Sequence, residues 1–177
     1  MNKQFDVLVT IGRFQPFHLG HKAVIDEALK QAKEVVVVVG SSFAARNIRN
    51  PFTFEERKQM IKSVYPSDRV KVVPVSDYPY NDNKWVAAIQ TIVNGAISYT
   101  PDPIKIGLIG HNKDSTSYYL KIFPTWDNIE VDNSDNINAT DIRKGFLADG
   151  GQNNEMSLLP PSVKNFLNKF IETLDWK

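Results

Sequence analysis

Short apolar runs alternate with amphipathic segments along most of the chain. The runs predicted as strands are 5–11, 35–39, 69–75, 104–109 and 129–131. Between them apolar residues recur at helical spacing, and the predicted helices are 19–33, 54–65, 84–98 and 117–123. The second run is five consecutive valines, which is typical of a central strand buried on both faces. Strands that alternate with helices predict a parallel sheet with crossover helices.

The alternation stops after residue 132. Polar stretches at 133–138 and 150–154 flank a short helix predicted at 140–148, and a final helix is predicted at 162–174. We therefore predict one α/β domain: a doubly wound, Rossmann-like parallel sheet of about five strands in residues 1–132, with a small helical C-terminal cap in 133–177. Ligands of such sheets lie beyond the carboxyl ends of the strands. Functional residues should follow Ile11, Val39, Val75 and Ile109.

The composition of the chain excludes several classes of protein. The 177 residues include 21 Lys and Arg and 20 Asp and Glu, so the net charge is only +1. Such a chain has no overall positive potential that would attract nucleic acid or an acidic membrane, and any bound anion must be held by a local group of residues. The absence of cysteine excludes a disulfide framework and a thiolate nucleophile or metal ligand. The first apolar run is too short for a signal peptide or a membrane span of ~20 residues. We expect a soluble, cytoplasmic protein.

The most informative stretch directly follows the first predicted strand and reads GRFQPFHLGH at 12–21. A helix that starts near Gly20 places His18 and His21 at its N-terminus, where free backbone N–H groups and the helix dipole attract phosphate. Gly12 ends the strand without a side chain, and Gly20 lets a bulky ligand approach the backbone. The alternative is a histidine pair with only surface or capping duties.

This stretch resembles the HxGH nucleotidyltransferase superfamily, in the form found in nicotinamide mononucleotide adenylyltransferases of the archaeal type and of bifunctional adenylyltransferase/Nudix proteins. Other segments resemble motifs of the same family and occur in the same order, so that the resemblance covers about residues 5–163. They are GSS at 40–42, NIRNPFT at 47–53, residues 77–85, GHNKD at 110–114, SYYL at 117–120 and NATDIR at 138–143. No Nudix box is found, so hydrolysis of ADP-ribose is not predicted. The chain is either a stand-alone enzyme or one domain of a longer parent.

The resemblance implies adenylyl transfer from ATP to nicotinamide mononucleotide, giving NAD and pyrophosphate. The attacking phosphate has a second pKa near ~6 and is largely ionised at pH 7, so the reaction needs no general base and no covalent intermediate. Two polyanions must instead meet in line while negative charge grows on the leaving oxygen. Catalysis should therefore rest on positioning and preorganised positive charge.

The resemblance assigns catalysis to His18, His21, Arg49 and Arg143, with His21 the stabiliser of the α-phosphate. The predicted ATP-binding residues are Gly12, Arg13, Phe14, His18, Gly20, His21, Gly110, His111, Asp114, Asn138, Thr140 and Arg143. Arg143 falls one turn into a helix that Thr140 can cap, which would let guanidinium and helix N-terminus grip the β,γ-phosphates together. Surface ion pairs are the alternative for Arg13 and Arg143.

The predicted mononucleotide-binding residues are Arg13, Phe17, Arg46, Arg49, Asp77, Asn83 and Trp85. Trp85 would stack on the pyridinium ring, gaining dispersion and cation–π energy; the alternative is a core tryptophan. Asp77 and Asn83 would fix the carboxamide or the ribose, or else cap turns and helices. A solvated surface role is the alternative for Arg46.

Mg²⁺ bridging the ATP phosphates is the expected cofactor, rather than a metal held by the protein itself. A homo-oligomer is expected from the relatives, without nucleic-acid or membrane partners. Two alternatives stay open: transfer to another acceptor such as nicotinic acid mononucleotide or pantetheine phosphate, including by a cytidylyltransferase, and a nucleotide sensor without turnover. An RNA-ligand enzyme related to class I aminoacyl-tRNA synthetases is not favoured, because the chain is small, nearly neutral and lacks a Lys-Met-Ser-Lys-Ser run. The sequence does not decide between amide and acid mononucleotide.

Overall fold

The computed structural model describes residues 2–98, 101–111, 121–133, 135–150, 152 and 154–173. The described strands are β1 (Phe5–Gly12), β2 (Ala32–Val39), β3 (Val70–Pro74), β4 (Ile106–His111) and β5 (Asp127–Val131). The described α-helices are α1 (Leu19–Gln31), α2 (Phe54–Val64), α3 (Asp82–Ala96), α4 (Ala139–Asp149) and α5 (Pro161–Ile171), and a 3-10 helix spans Asn154–Leu158.

The five strands form one sheet in the order β3-β2-β1-β4-β5, and every pair of neighbours is parallel. In this order β1 lies at the centre, and the chain moves outward in both directions from it. The predicted doubly wound α/β fold with helices at its C-terminal end is therefore confirmed. The carboxyl ends of β1, β2 and β4 meet at one edge, as the location of the predicted site requires.

The valine run of β2 divides its side chains between two hydrophobic cores. Val35, Val37 and Val39 pack with residues of α1, α2, α4 and α5 on one face of the sheet, whereas Val36 and Val38 pack with α3 on the other. All five valines are fully buried. The period of two along a strand explains this division, and it confirms a central strand buried on both faces.

Several element boundaries differ from the prediction. β2 begins at Ala32, three residues before the predicted start, because its pairing with β1 already starts at the Phe5–Ala32 register. α3 begins at Asp82 rather than at residue 84, because the Asn81 side chain accepts the Lys84 N–H at 3.0 Å and caps the helix. The Thr53 capping box with Glu56 at the start of α2 is confirmed.

The C-terminal region contains two departures. Asn138, not Thr140, caps α4: its Oδ1 accepts the Asp141 N–H at 3.0 Å, and Thr140 is already the second helical residue. The 3-10 helix at Asn154–Leu158, which buries Met156, was not predicted. The helix predicted at 117–123 lies largely outside the described residues and stays a prediction. Within the described part of the chain, no helix has the length and apolarity needed to cross a bilayer.

Two glycines provide a matched test of this packing. A Cβ at Gly107 in β4 would lie 2.7 Å from the Phe5 ring and 2.9 Å from Leu8, whereas a Cβ at Gly95 in α3 would meet nothing within 4 Å. We expect Gly107→Ala to lower the free energy of unfolding by about 1–3 kcal/mol through overpacking. Gly95→Ala should raise it by about 0.5–1 kcal/mol through helix propensity. Urea unfolding measures both, and equal effects of the two substitutions would contradict the packing described.

Candidate active site

His18 and His21 form a capping box at the N-terminus of α1. Nδ1 of His18 accepts the backbone N–H of Gly20 at 3.1 Å and of His21 at 3.4 Å, and Nδ1 of His21 accepts the His18 N–H at 3.2 Å. The two rings stack with centroids 3.7 Å apart. Because each Nδ1 accepts a hydrogen bond from a backbone N–H, a neutral ring in this arrangement carries its own proton on Nε2. The pair is thus a helix cap in which the His18 ring is buried, at 1% exposed, and the His21 ring is half-buried.

This arrangement corrects two expectations about the motif. The N–H groups of Gly20 and His21, expected to attract phosphate directly, are bonded to the His18 ring. Gly20 was expected to make room for a ligand, but a Cβ there would lie 2.9 Å from Cε1 of His18. The glycine is therefore required by the histidine ring that folds back over the helix start.

The aromatic side chains of Phe14 and Phe17 pack against the His21 ring. Phe14 lies 4.6 Å and Phe17 5.7 Å from it, centroid to centroid, and Phe17 also makes an edge contact with Tyr65 at 6.3 Å. Phe14 and Phe17 are both buried in the core. The structure therefore places these two predicted ligand contacts where they orient His21 and offer little surface to a ligand. A Cβ at Gly12 would lie 3.1 Å from the Phe14 ring, so the glycine leaves room for that ring.

His111, at the end of β4, ties the motif to the neighbouring strand. Its Nε2 lies 3.0 Å from the carbonyl oxygen of Gly20, and its Nδ1 lies 3.0 Å from that of Val131 in β5. Gly110 is a buried residue of β4 itself, and not the residue that closes it. Both ring nitrogens of His111 are thus engaged with backbone, so the side chain acts as a brace of the HxGH turn.

One buried arginine lies at this turn, and two exposed arginines act on its charge. Arg143 of α4 is 8% exposed, and its guanidinium donates to the Gln15 carbonyl at 2.8 Å and to Thr140 Oγ1 at 3.2 Å. Burial lowers the pKa of Arg143, and the charges of Arg13 and Arg49 lower it further. Arg13 and Arg49, both exposed, are therefore close enough to repel the Arg143 guanidinium. The structure therefore brings together the loops after β1 and β2 with the start of α4.

Arg46 is engaged elsewhere. Its guanidinium forms two bonds to the Glu56 carboxylate, at 2.8 and 3.1 Å, and one to the Pro51 carbonyl at 2.6 Å. It also lies over the Phe170 ring at 5.6 Å. A mononucleotide phosphate would have to compete with this carboxylate, so the geometry favours a structural role for Arg46.

Three of the residues predicted to bind the mononucleotide are exposed or half-buried. Asp77 is exposed and accepts the Ser41 hydroxyl at 3.0 Å, and Asn83 is exposed in the first turn of α3. Trp85 is half-buried and packs beside Phe123 at 6.0 Å, against the core under α3. The stacking role of Trp85 stays a prediction. Asp114, with the rest of 112–120, lies outside the described residues.

Two buried side chains that the sequence analysis missed hold the loops together. The Gln15 amide donates to the Phe52 carbonyl at 2.9 Å and accepts the Phe52 N–H at 3.0 Å. Arg57, 1% exposed, donates to carbonyl oxygens of both loops. A signal for Arg57 existed: it occupies the helical position in line with Met60, Ile61 and Val64, where an apolar residue is the norm.

The donors gathered at the HxGH turn suit an anion. Among the described residues, no three His, Asp or Glu side chains converge as a metal-binding group. The side chains gathered at the HxGH turn are imidazoles and guanidiniums, which are poor ligands for a hard cation such as Mg²⁺.

Comparison with known proteins agrees with this geometry. The cytidylyltransferase-like family matches residues 9–145. The nicotinamide/nicotinic acid mononucleotide adenylyltransferase of Acinetobacter baylyi is 40% identical over 98% of this chain and 91% of its own length. The chain therefore belongs to the cytidylyltransferase-like family of nucleotidyltransferases, as the HxGH resemblance predicts.

Two solved structures from Francisella tularensis share the fold. A bifunctional NMN adenylyltransferase/ADP ribose pyrophosphatase superposes with a TM-score of 0.86 at 40% identity, covering 97% of this chain and 51% of that one. The same kind of enzyme in complex with AMP and a manganese ion gives a TM-score of 0.83 at 38% identity. The chain thus spans about half the length of these bifunctional structures.

The crowding of arginines predicts how the site responds to an inorganic polyanion. Arg49→Met removes one repelling charge, so the unliganded protein should not lose stability. The dissociation constant for tripolyphosphate should rise about tenfold, because charge-assisted hydrogen bonds contribute roughly 1.5–3 kcal/mol each. Calorimetric titration measures the constant, with Lys144→Met, an exposed cation on α4, as the matched control. An unchanged constant in Arg49→Met would remove Arg49 from the anion site.

Proposed function

We propose that this chain transfers the adenylyl group of ATP to a pyridine mononucleotide, with nicotinamide mononucleotide as the acceptor, and produces NAD and pyrophosphate. The observation that carries the proposal is the stacked His18–His21 pair, capped onto α1, with the Arg143 guanidinium bonded to the Gln15 carbonyl of the same turn. The Acinetobacter baylyi relative supports the substrate class, since its name covers the nicotinamide and nicotinic acid mononucleotides.

The reaction needs little covalent chemistry from the protein. A 5′-phosphate oxygen of the mononucleotide attacks the α-phosphorus of ATP, the bond from that phosphorus to the bridging oxygen breaks, and pyrophosphate leaves with the electron pair. No proton has to be removed from the nucleophile, which is already ionised at neutral pH. The protein contributes position and positive charge where the leaving oxygen gains negative charge.

Each group at the HxGH turn has a role in this scheme. The Nε2–H groups of His18 and His21 donate to phosphate oxygens, His21 to the α-phosphate. Arg143 and Arg49 neutralise the β,γ-phosphates, and Arg13 lies between the two substrates. The tie of Arg143 to the Gln15 carbonyl keeps its guanidinium beside the turn before any ligand binds, which lowers the reorganisation needed for catalysis.

Mg²⁺ is the proposed metal, carried by the ATP phosphates, where it would neutralise charge on the triphosphate. A divalent ion accompanies AMP in one of the Francisella tularensis structures, where it is manganese. A homo-oligomeric state and a cytoplasmic location stay predictions.

A product assay tests the reaction and the acceptor together. Protein, ATP and Mg²⁺ are incubated with nicotinamide mononucleotide or with its acid analogue, and dinucleotide and pyrophosphate are separated by chromatography. We expect both products, NAD formed faster than the acid dinucleotide, and loss of both in His21→Ala. Turnover of the acid alone would make nicotinic acid mononucleotide the acceptor, an alternative that the Acinetobacter baylyi relative's name includes. Failure with both mononucleotides while ATP still binds would overturn the proposed acceptor.

A second experiment separates capping by His18 from catalysis by His18. Asparagine is among the best N-cap residues, so His18→Asn should retain about 1 kcal/mol of stability that His18→Ala loses. Both variants lack the Nε2 donor, and both should lose activity by a factor of about 10²–10³, the usual effect of removing one preorganised donor. Urea unfolding and the product assay supply the two readouts. Near-normal activity in His18→Asn would reduce His18 to a helix cap.

A further inference from the structure

Arg57 is a buried cation that makes all its described hydrogen bonds to backbone carbonyls. Its Nη1 donates to the carbonyl oxygen of Arg13 at 2.7 Å and of Gly40 at 2.8 Å. Its Nη2 donates to the carbonyl oxygen of Ser41 at 3.3 Å, and its Nε to that of Thr53 at 3.1 Å. One guanidinium therefore fastens the first residues after β1 and after β2 to the first turn of α2.

These carbonyls belong to the two loops that bear the predicted phosphate ligands. Arg13 leaves β1 directly ahead of the HxGH turn, and the segment that starts at Gly40 and Ser41 leads to Arg49. The two strands are neighbours in the sheet, with Gly12 opposite Val39. The position of Arg57 beneath their ends thus sets where both loops depart from the sheet.

Stability alone is a poor reason for an arginine at this position. Burial lowers the pKa of Arg57 to about 10, so the group is charged at neutral pH and carries a desolvation penalty. The charges of Asp77 and Glu56 offset part of that penalty, and Arg13 adds to it. Since α2 places Met60 and Ile61 in the same core, an aliphatic residue would satisfy the packing. An aliphatic side chain would not donate hydrogen bonds to the carbonyl oxygens of Arg13, Gly40 and Ser41.

We propose that Arg57 is a positioning residue for phosphate binding, which holds the β1 and β2 exit loops in their ligand-binding geometry through the carbonyls of Arg13, Gly40 and Ser41. The proposal rests on the proposed function in taking ATP as the ligand. Without the tie, the loops would have to be ordered when ATP binds, and the affinity would fall by that ordering free energy. Loss of the Arg57 tie should therefore weaken ATP binding and raise KM, in addition to any loss of stability.

The chain offers a matched control at the opposite end of the sheet. Arg69 also donates to three backbone carbonyls, those of Lys33, Leu29 and Ala32, each at 3.0 Å. These lie at the end of α1 and the start of β2, away from the loops of the site. Lysine at either position keeps the charge and loses the planar fork of donors. Both substitutions should therefore lower stability, and only one should change ligand binding.

The experiment measures the dissociation constant of ATP with Mg²⁺ by calorimetry, and KM and kcat in the product assay, for wild type, Arg57→Lys and Arg69→Lys. The temperature is set well below the unfolding transition of each variant. We expect the ATP dissociation constant and KM to rise at least about tenfold in Arg57→Lys and to change by less than about twofold in Arg69→Lys. An Arg57→Lys enzyme that binds ATP as wild type does, with lower stability only, would overturn the proposal.

Other outcomes are also decisive. If Arg57→Lys does not fold, Arg57→Gln, which retains amide donors without the charge, takes its place, and failure of both to fold would make Arg57 a folding residue and overturn the proposal. A wild type that binds ATP but forms no dinucleotide would contradict the proposed function, while the effect of Arg57→Lys on ATP affinity would still test the positioning role. A wild type that binds no ATP would overturn both.

Discussion

The site depends on the parallel pairing of β1 with β2, which places two loop exits side by side at the carboxyl edge of the sheet. Gly12 pairs with Val39, and the Gly40 N–H donates to the Gly12 carbonyl at 2.8 Å as the strands end. Beyond this point the ladder stops, and the backbone groups of both loops need new partners. Buried side chains supply them: Arg57 beneath both exits, and Gln15 between the first loop and the segment before α2.

The same cross-links concentrate positive charge in a chain that is nearly neutral overall. The net charge is +1, yet in the described structure the charges of Arg13 and Arg49 both act on the buried Arg143. Burial lowers the pKa of Arg143 most, and repulsion from these two cations lowers it further, so keeping this charge opposes folding. A polyanion relieves this repulsion, so an arrangement that is unfavourable in the empty protein becomes favourable with a nucleoside triphosphate. Such a trade of stability for preorganised charge is what an electrostatic catalyst requires.

Much of this structure was predictable from the sequence because it follows from periodicity and local capping. The valine run predicted a central strand, and Thr53 with Glu56 predicted the start of α2. The HxGH turn was placed at the correct helix end because it directly follows the first strand. These features depend on neighbours in the chain, which a single sequence displays.

What could not be predicted depends on contacts between distant residues. Arg57 meets Arg13 across 44 positions, and Arg143 meets Gln15 across 128. The need for glycine at position 20 to seat the His18 ring was missed, because it depends on the rotamer of His18 and not on the sequence pattern. Arg46 was predicted as a phosphate ligand, and its bidentate pairing with Glu56 became visible only when α2 and the preceding loop were placed together.

The measurement that tests the central claim most directly is a crystal structure of the protein with a non-hydrolysable ATP analogue and Mg²⁺. The account predicts triphosphate oxygens within hydrogen-bond distance, about 2.6–3.2 Å, of Nε2 of His21 and of the Arg143 guanidinium, with His18 still capping α1. A triphosphate bound away from the HxGH turn, with both histidines and Arg143 making only their intramolecular bonds, would contradict the account.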